Sequence, residues 1–311
     1  MHILIVKPSS LGDIIHGLAV AQSIRDQIPD STISWVVRDR FADIVHSCPT
    51  VNGKVHIYHR TLGGLFKVCR ELRDETFDAV IDLQGLLRSG LMTFVANAPL
   101  KIGRSDAREG SGMFYQKKAP LPADGLNSHA LAILLETLPF LDLEKKLISP
   151  IQLKHPEPSS IDPGLTDRLP ILLIPNSRGE HKEWPFFPEL TKALNDSVSD
   201  LVVWDSPRPW KSPSLTHPER FLNLTTKTSL PEMISLLAQA RLVIANDSGP
   251  LHIAAALGTP VLGLFGPTTP AQFGPYPPER PSNHSLSAPN GDISKLTVET
   301  VHNKVLEILK A

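Results

Sequence analysis

Three clusters of residue types in this chain could do chemistry, and each stands where an apolar run gives way to a turn. Residues 243–246 are a short β-branched run that ends in Asn246-Asp247-Ser248-Gly249, and a small, helix-prone run follows from Pro250. That order reads as strand, tight turn and helix, with Asp247 or Ser248 able to cap the first turn. Gly249 lets backbone approach a bound group, and the free N–H groups of a helix start attract an anion. His252 falls one turn in, on the face that looks back to the turn. A diphosphate would fit; a capped βα turn with a partly buried histidine is the plainer alternative.

The second cluster is the 175–185 loop, which holds Asn176, Ser177 and Lys182 ahead of Trp184-Pro185. A lysine, a helix N-terminus and a histidine together would neutralise a diphosphate leaving group without a metal. No Asp-x-Asp metal-binding pair stands where one would be wanted. The third cluster is Ser9-Ser10-Leu11-Gly12-Asp13. A carboxylate there could take a proton from a hydroxyl nucleophile, and a neighbouring helix N-terminus would keep it ionised. Capping alone is the competing account of Asp13.

These clusters need elements to hold them. Residues 3–6 are continuously apolar, as in a strand buried on both faces of a parallel sheet. Apolar positions then repeat at helical spacing until Pro29. Strands at 33–37, 55–58 and 78–83 alternate with helices at 41–46 and 65–74, which argues for a doubly wound sheet. Between Arg104 and Leu126 the pattern fails, and a loop so long inside a compact domain is more often functional than idle. A helix at 129–138 precedes a stretch rich in proline, serine and glycine, about 149–168, which marks a domain boundary. A second series follows: strands at 171–174, 201–204, 221–224, 243–246 and 261–265, with helices at 188–195, from 229, from 250 and at 298–309. The helix from 229 opens on the Ser-x-x-Glu form of a capping box.

The totals narrow the class. At 311 residues the chain suggests two domains of roughly 150 residues each. Its 41% hydrophobic and 20% charged residues suit a globular protein. A net charge of −1 argues against a general nucleic-acid binder. Cys48 and Cys69 form neither a metal spacing nor a disulfide framework and fit a reducing cytoplasm. Residues 1–7 read as a strand from the outset, so no secretory signal is expected. Nor does any stretch reach the roughly 18 apolar residues of a membrane span, so membrane contact would be peripheral.

Four motifs, in order along nearly the whole chain, carry a resemblance: 7–16 (Lys7 to His16), Asp82-Leu83-Gln84-Gly85-Leu86, Lys182-Glu183-Trp184-Pro185 and 246–252 (Asn246 to His252). The chain resembles glycosyltransferase family 9, and within it the lipopolysaccharide heptosyltransferases of type I. The resemblance implies a GT-B fold, two Rossmann-like doubly wound domains facing a central cleft. Residues 1–155 would form the acceptor-binding domain and 165–311 the nucleotide-sugar donor domain, with the last helix free to pack back on the first. It implies inverting transfer of L-glycero-D-manno-heptose from ADP-heptose to the Kdo of a lipid A inner core, at the cytoplasmic face of the inner membrane. It implies no cofactor and no metal.

Carried over by residue, Asp13 matches a catalytic base. Lys182, Asp247, Ser248, Gly249 and His252 match a donor site, with Asn176 and Ser177 as its paired small polar residues. Ser10, Gly12, Arg60, Arg88 and Arg108 match the acceptor side. Arginine grips carboxylates and phosphates with a bidentate fork, which agrees with an acidic acceptor. Asp205 stands near where relatives carry a ribose-holding glutamate. The residues alone leave rivals open: another family 9 transferase with a different sugar or acceptor, a sugar-nucleotide epimerase on the same scaffold, or a non-catalytic carbohydrate-binding protein.

Overall fold

Uninterrupted runs of isoleucine, leucine and valine fold into strands that have no solvent-facing side. In β1 (His2–Val6) the side chains of Ile3, Leu4, Ile5 and Val6 are fully buried, as a parallel sheet covered on both faces requires. The structure is a computed structural model that describes residues 1–165, 169–177 and 179–310. The last residues of the expected connector, 166–168, and Arg178 of the 175–185 loop lie outside the described residues. The chain divides into two units, Met1–Lys154 and His155–Ala311.

In the first unit β1 is followed by α1 (Leu11–Gln27), β2 (Thr32–Arg38), α2 (Ala42–His46), β3 (Val55–Tyr58), α3 (Leu62–Asp74), β4 (Ala79–Asp82), α4 (Leu87–Val95), β5 (Leu100–Arg104), β6 (Lys117–Ala119) and α5 (Ala130–Leu135). The sheet runs β3-β2-β1-β4-β5-β6, and all its paired strands are parallel. Val68 and Leu72 of α3 and Met92 of α4 close one core against Leu4, Val6, Val36 and Val80, while α5 packs against α1.

The second unit contains β7 (Ile171–Ile174), α6 (Phe187–Ser197), β8 (Val202–Trp204), β9 (Phe221–Asn223), α7 (Leu230–Gln239), β10 (Leu242–Asn246), α8 (Gly249–Leu257), β11 (Val261–Phe265), α9 (Pro270–Phe273), β12 (Asn283–Ser287) and α10 (Val298–Lys310). Its parallel sheet runs β12-β11-β10-β7-β8-β9. Counted from β7, this is the strand order of the first unit again, the order of dinucleotide-binding folds. The final helix packs against α6, and its Val301 and Val305 join the core of its own unit.

In each sheet the strand order reverses at one place, between β1 and β4 and between β7 and β10. Ligands of doubly wound sheets bind beyond the carboxyl ends of the strands at that reversal. The segments after β1, β4, β7 and β10 carry Asp13, Gln84, Lys182 and Asp247 respectively.

The structure corrects one expectation. The segment from Arg104 to Leu126 is not a single long loop: it holds a helical turn at Ser111–Phe114 and then β6, which pairs with β5 through Ile102↔Lys117 and Arg104↔Ala119. β6 is a three-residue edge strand with Lys117 and Lys118 exposed. Edge strands tolerate and even favour such charge, which removes the apolar signal. β12, an edge strand reading Asn-His-Ser-Leu-Ser, lacks that signal for the same reason.

Asn246, fully buried at the end of β10, stitches the second reversal together. Its side-chain oxygen accepts from the Trp184 amide at 2.9 Å and its amide donates to the Pro175 carbonyl at 2.9 Å. Asn246→Ala leaves two buried backbone groups unpaired, at about 1–3 kcal/mol each. The expected outcome is a thermal transition several degrees below wild type in calorimetry, and an unmoved transition would deny the stitch its weight.

Candidate functional site

In the first unit the site is built where β1 hands over to α1. Lys7, the residue after the strand, is 2% exposed; its Nζ donates to the Leu83 carbonyl at 2.9 Å and lies 3.5 Å from Asp13 Oδ1. Ser10 is the N-cap of α1, and its amide and hydroxyl donate to Asp13 Oδ2 at 3.1 and 2.7 Å. This is the reciprocal half of a capping box, so the capping account and the chemical account of Asp13 share one geometry. Burial alone would raise the Asp13 pKa, but the Lys7 charge and the two Ser10 hydrogen bonds outweigh it and hold the carboxyl down at about 2. The side chain nonetheless stays 46% exposed, and Ser10 and Gly12 beside it are partly exposed.

The three arginines singled out from sequence sit on the same carboxyl edge of the sheet. Arg60 follows β3. Arg88 lies in the first turn of α4 and donates to the Tyr58 hydroxyl at 3.4 Å. Arg108 lies beyond β5, its backbone N–H donating to the Gly85 carbonyl at 2.8 Å. Gly85 has φ +69, a left-handed turn that glycine adopts without strain. All three arginines are exposed. Among the described residues none of them forms an ion pair with Asp13; Lys7 does.

In the second unit three of the expected residues converge on a fourth, Asp247. Asp247 is 9% exposed, and Lys182 Nζ meets its Oδ2 at 2.7 Å. His252 Nε2 lies 3.9 Å from Oδ1, and the Ser177 hydroxyl donates to the Asp247 backbone carbonyl at 3.2 Å. Ser248 is the N-cap of α8, but no side-chain capping bond forms, and its hydroxyl is buried without a hydrogen-bond partner. The first amides of α8, beginning at Gly249, are thus left to whatever binds there. Asn176 turns elsewhere, towards Glu183 and Arg208.

Lys182 is aimed by its neighbours. Trp184 is fully buried, with its ring N–H donating to the Leu296 carbonyl at 2.7 Å and its ring edge-on to Phe187 at 5.3 Å. Glu183 accepts from the Ser177 amide at 2.7 Å and from Arg208.

Sequence reasoning missed four contributors. Glu183 and Arg208 fix the loop, Lys7 holds Asp13, and Thr268 donates to Asp247 Oδ2 at 2.8 Å. Thr268 closes Gly266-Pro267-Thr268 after β11, a strand-end turn that could have flagged it. Asp205, expected near a ribose-holding position, is 1% exposed; its Oδ1 accepts from Thr228 at 2.6 Å, its Oδ2 is buried without a hydrogen-bond partner, and burial pushes its carboxyl up. Among the described residues no group of three or more His, Cys, Asp or Glu side chains could hold a metal ion.

Fold and site define a doubly wound α/β protein with two strand-order reversals, one presenting a carboxylate and the other a lysine beside a helix start without a side-chain cap. Residues 65–300 match the model of glycosyltransferase family 9 (heptosyltransferase), and the chain belongs to that family. Its two sheets are the GT-B architecture. The chain is 30% identical to lipopolysaccharide heptosyltransferase 1 of Pseudomonas aeruginosa, with 89% of this chain and 81% of that protein covered. It is 26% identical to the structure of E. coli heptosyltransferase WaaC with ADP, with TM-score 0.77 and 99% of this chain and 100% of that one covered. The same enzyme with ADP-2-deoxy-2-fluoro heptose matches with TM-score 0.74 and 26% identity, over 99% of both chains.

The low pKa of Asp13 predicts a pH dependence of stability. Its folded value, about 2, lies below the unfolded value of about 3.9. The stabilisation is therefore present above about pH 4 and is lost as pH falls through about 2. The gap in urea midpoint between wild type and Asp13→Asn should hold constant above about pH 5 and close below about pH 4. A gap independent of pH would show that the ion pair does not hold the carboxylate.

Proposed function

We propose that the chain is an inverting, metal-independent heptosyltransferase that moves L-glycero-D-manno-heptose from ADP-heptose to the Kdo of a lipopolysaccharide inner core. One observation carries this reading: Lys182, His252, Thr268 and the uncapped start of α8 gather around Asp247 at the β7/β10 reversal. The relatives named above, one of them holding ADP and one an ADP-heptose analogue, support it.

In the reaction the acceptor hydroxyl oxygen forms a bond to the anomeric carbon as the bond from that carbon to the diphosphate breaks. The hydroxyl proton passes to Asp13, and the electron pair leaves with ADP. A single displacement inverts the anomeric centre. Charge grows on the leaving diphosphate, where Lys182, His252 and the Ser248 and Gly249 amides stabilise it by fixed dipoles and charge. Asp247 orients the sugar. Ser10, Gly12, Arg60, Arg88 and Arg108 receive the carboxylates and phosphates of the acceptor.

Asp13→Ala should leave ADP binding by calorimetry close to wild type while transfer falls roughly 10²–10⁴-fold, the range of general base catalysis. Wild-type turnover in that variant would remove Asp13 from the chemistry and, with it, this mechanism.

A lipid-linked acceptor places the enzyme at the cytoplasmic face of the inner membrane as a peripheral protein. Among the described residues no helix is long and apolar enough to cross a membrane. α3 instead shows Leu62 86% exposed and Phe66 75% exposed, one turn apart. Lys67, Arg70 and Arg73 are exposed along the same helix, a mixture that suits an anionic bilayer surface. Leu62→Ser with Phe66→Ser should reduce co-sedimentation with vesicles containing phosphatidylglycerol, and added salt should weaken what remains. Equal sedimentation of double variant and wild type would move the membrane contact to another surface.

A further inference from the structure

Lys7 is one of several buried ionisable groups that take no part in the proposed reaction. Lys7 has a side chain only 3% exposed, yet its ammonium touches the group proposed as the base. It follows β1 directly, so the register of β1 on β4, with Val6 opposite Asp82, sets it beside the β4 end. There the Leu83 carbonyl takes one of its protons at 2.9 Å, and Asp13 Oδ1 stands 3.5 Å away. Ser10 occupies the other oxygen, Oδ2, with two hydrogen bonds. The two carboxylate oxygens are thus held from opposite directions by groups on different segments.

We propose that Lys7 is the positioning residue of the catalytic carboxylate: anchored on the Leu83 carbonyl, its ammonium fixes Asp13 Oδ1 and keeps Asp13 ionised between turnovers. This rests on Asp13 acting as the base. Burying a lysine opposes its charge, and burial does lower the Lys7 pKa. A cation kept in such a place needs an anion, and Asp13 is the one it meets. The facing charges are Asp13 from α1, Asp82 from β4 and Arg104 from β5 around Lys7. Around Asp13 they are Lys7 and His16 of α1, His16 in turn lying 5.6 Å from the His129 ring.

The arrangement has a kinetic consequence. A carboxylate held at about 2 is a weak base towards a free hydroxyl. It serves once the hydroxyl oxygen has begun to bond to the anomeric carbon and its proton has become acidic, so proton transfer comes late. The same weakness returns the captured proton promptly to water, resetting Asp13 as carboxylate for the next acceptor. Lys7 sets both properties without touching substrate.

The test is the pH profile of kcat/KM for heptose transfer in wild type, Lys7→Met, Lys7→Arg and Asp13→Asn, with thermal melts to confirm folding. Lys7→Met removes the charge at similar volume, so Asp13 should titrate higher and an acid limb should appear. The ratio of kcat/KM at pH 8 to that at pH 4 should rise at least twofold over wild type, because loss of the opposite charge moves Asp13 up from about 2 to about 4 or above. Lys7→Arg, which keeps the charge, should keep the ratio near the wild-type value. A merely structural lysine would lower the profile without bending it, and an unbent profile in folded Lys7→Met overturns the inference. Should neither Lys7 variant fold, carbon-13 NMR titration of the Asp13 carboxyl in wild type decides: a value below 3 supports the role of Lys7, and one at or above 4 overturns it. Wild-type turnover in Asp13→Asn would instead defeat the base itself, which separates the two failures.

Discussion

A carboxylate at the end of β10 is 9% exposed and must find a cation; Lys182 supplies one at 2.7 Å. An unpaired carboxylate buried to that degree would be strongly unfavourable, so the loop after β7 has to fold back over the end of β10. The organisation of the second unit's site follows from that requirement. Trp184 drives its ring into the core, Asn246 pairs the backbone on either side of the loop, and Glu183 holds the Ser177 amide. The described residues of the loop are therefore held by packing and hydrogen bonds that no ligand has to provide. Where the task is to stabilise charge growing on a leaving group, such preorganisation is what gives fixed donors their effect.

The first unit solves the mirror problem at its own reversal. There the strand end carries the cation, Lys7, and the helix start carries the anion, Asp13. The burial is reversed as well: Lys7 is enclosed while the Asp13 side chain stays 46% exposed. In the second unit the anion is enclosed, and the Lys182 side chain is 28% exposed. One strand order, used twice, thus presents a carboxylate in one unit and an ammonium in the other. Which of the two is offered depends on which partner the strand end buries.

How much of this could be read from sequence depended on how many physical demands a residue answers at once. Runs such as Ile3 to Val6 and Leu242 to Asn246 announce themselves because a doubly covered strand has no polar side. The turns at Asp13 and Asp247 were legible because a strand end, a small residue and a helix start coincide there. β6 and β12 were not, since an edge strand pairs through its backbone while its side chains remain free to be lysine, asparagine or serine. Glu183, Arg208 and Thr268 stayed hidden for another reason. Each acts through a partner distant in sequence, Thr268 on Asp247 and Arg208 on Glu183, and such pairs have no local spacing to betray them. The burial of Asp205 against Thr228 was hidden in the same way, since that partner is also distant in sequence.

The two sets of charged residues also differ in how they are held. Lys182, Asp247 and Ser177 are tied by hydrogen bonds to one another, which under the proposed function gives the donor diphosphate fixed partners. Arg60, Arg88 and Arg108 are exposed on long side chains, and Arg88 reaches only the Tyr58 hydroxyl at the outer limit of a hydrogen bond, 3.4 Å. Under the proposed function the acceptor is acidic, and a pliable fork-shaped donor can follow carboxylates or phosphates at varying positions. On that proposal, rigidity is concentrated where charge must be stabilised during bond breaking. Compliance is left where binding alone is required, because a fixed array there would gain nothing in rate and would narrow the range of approach.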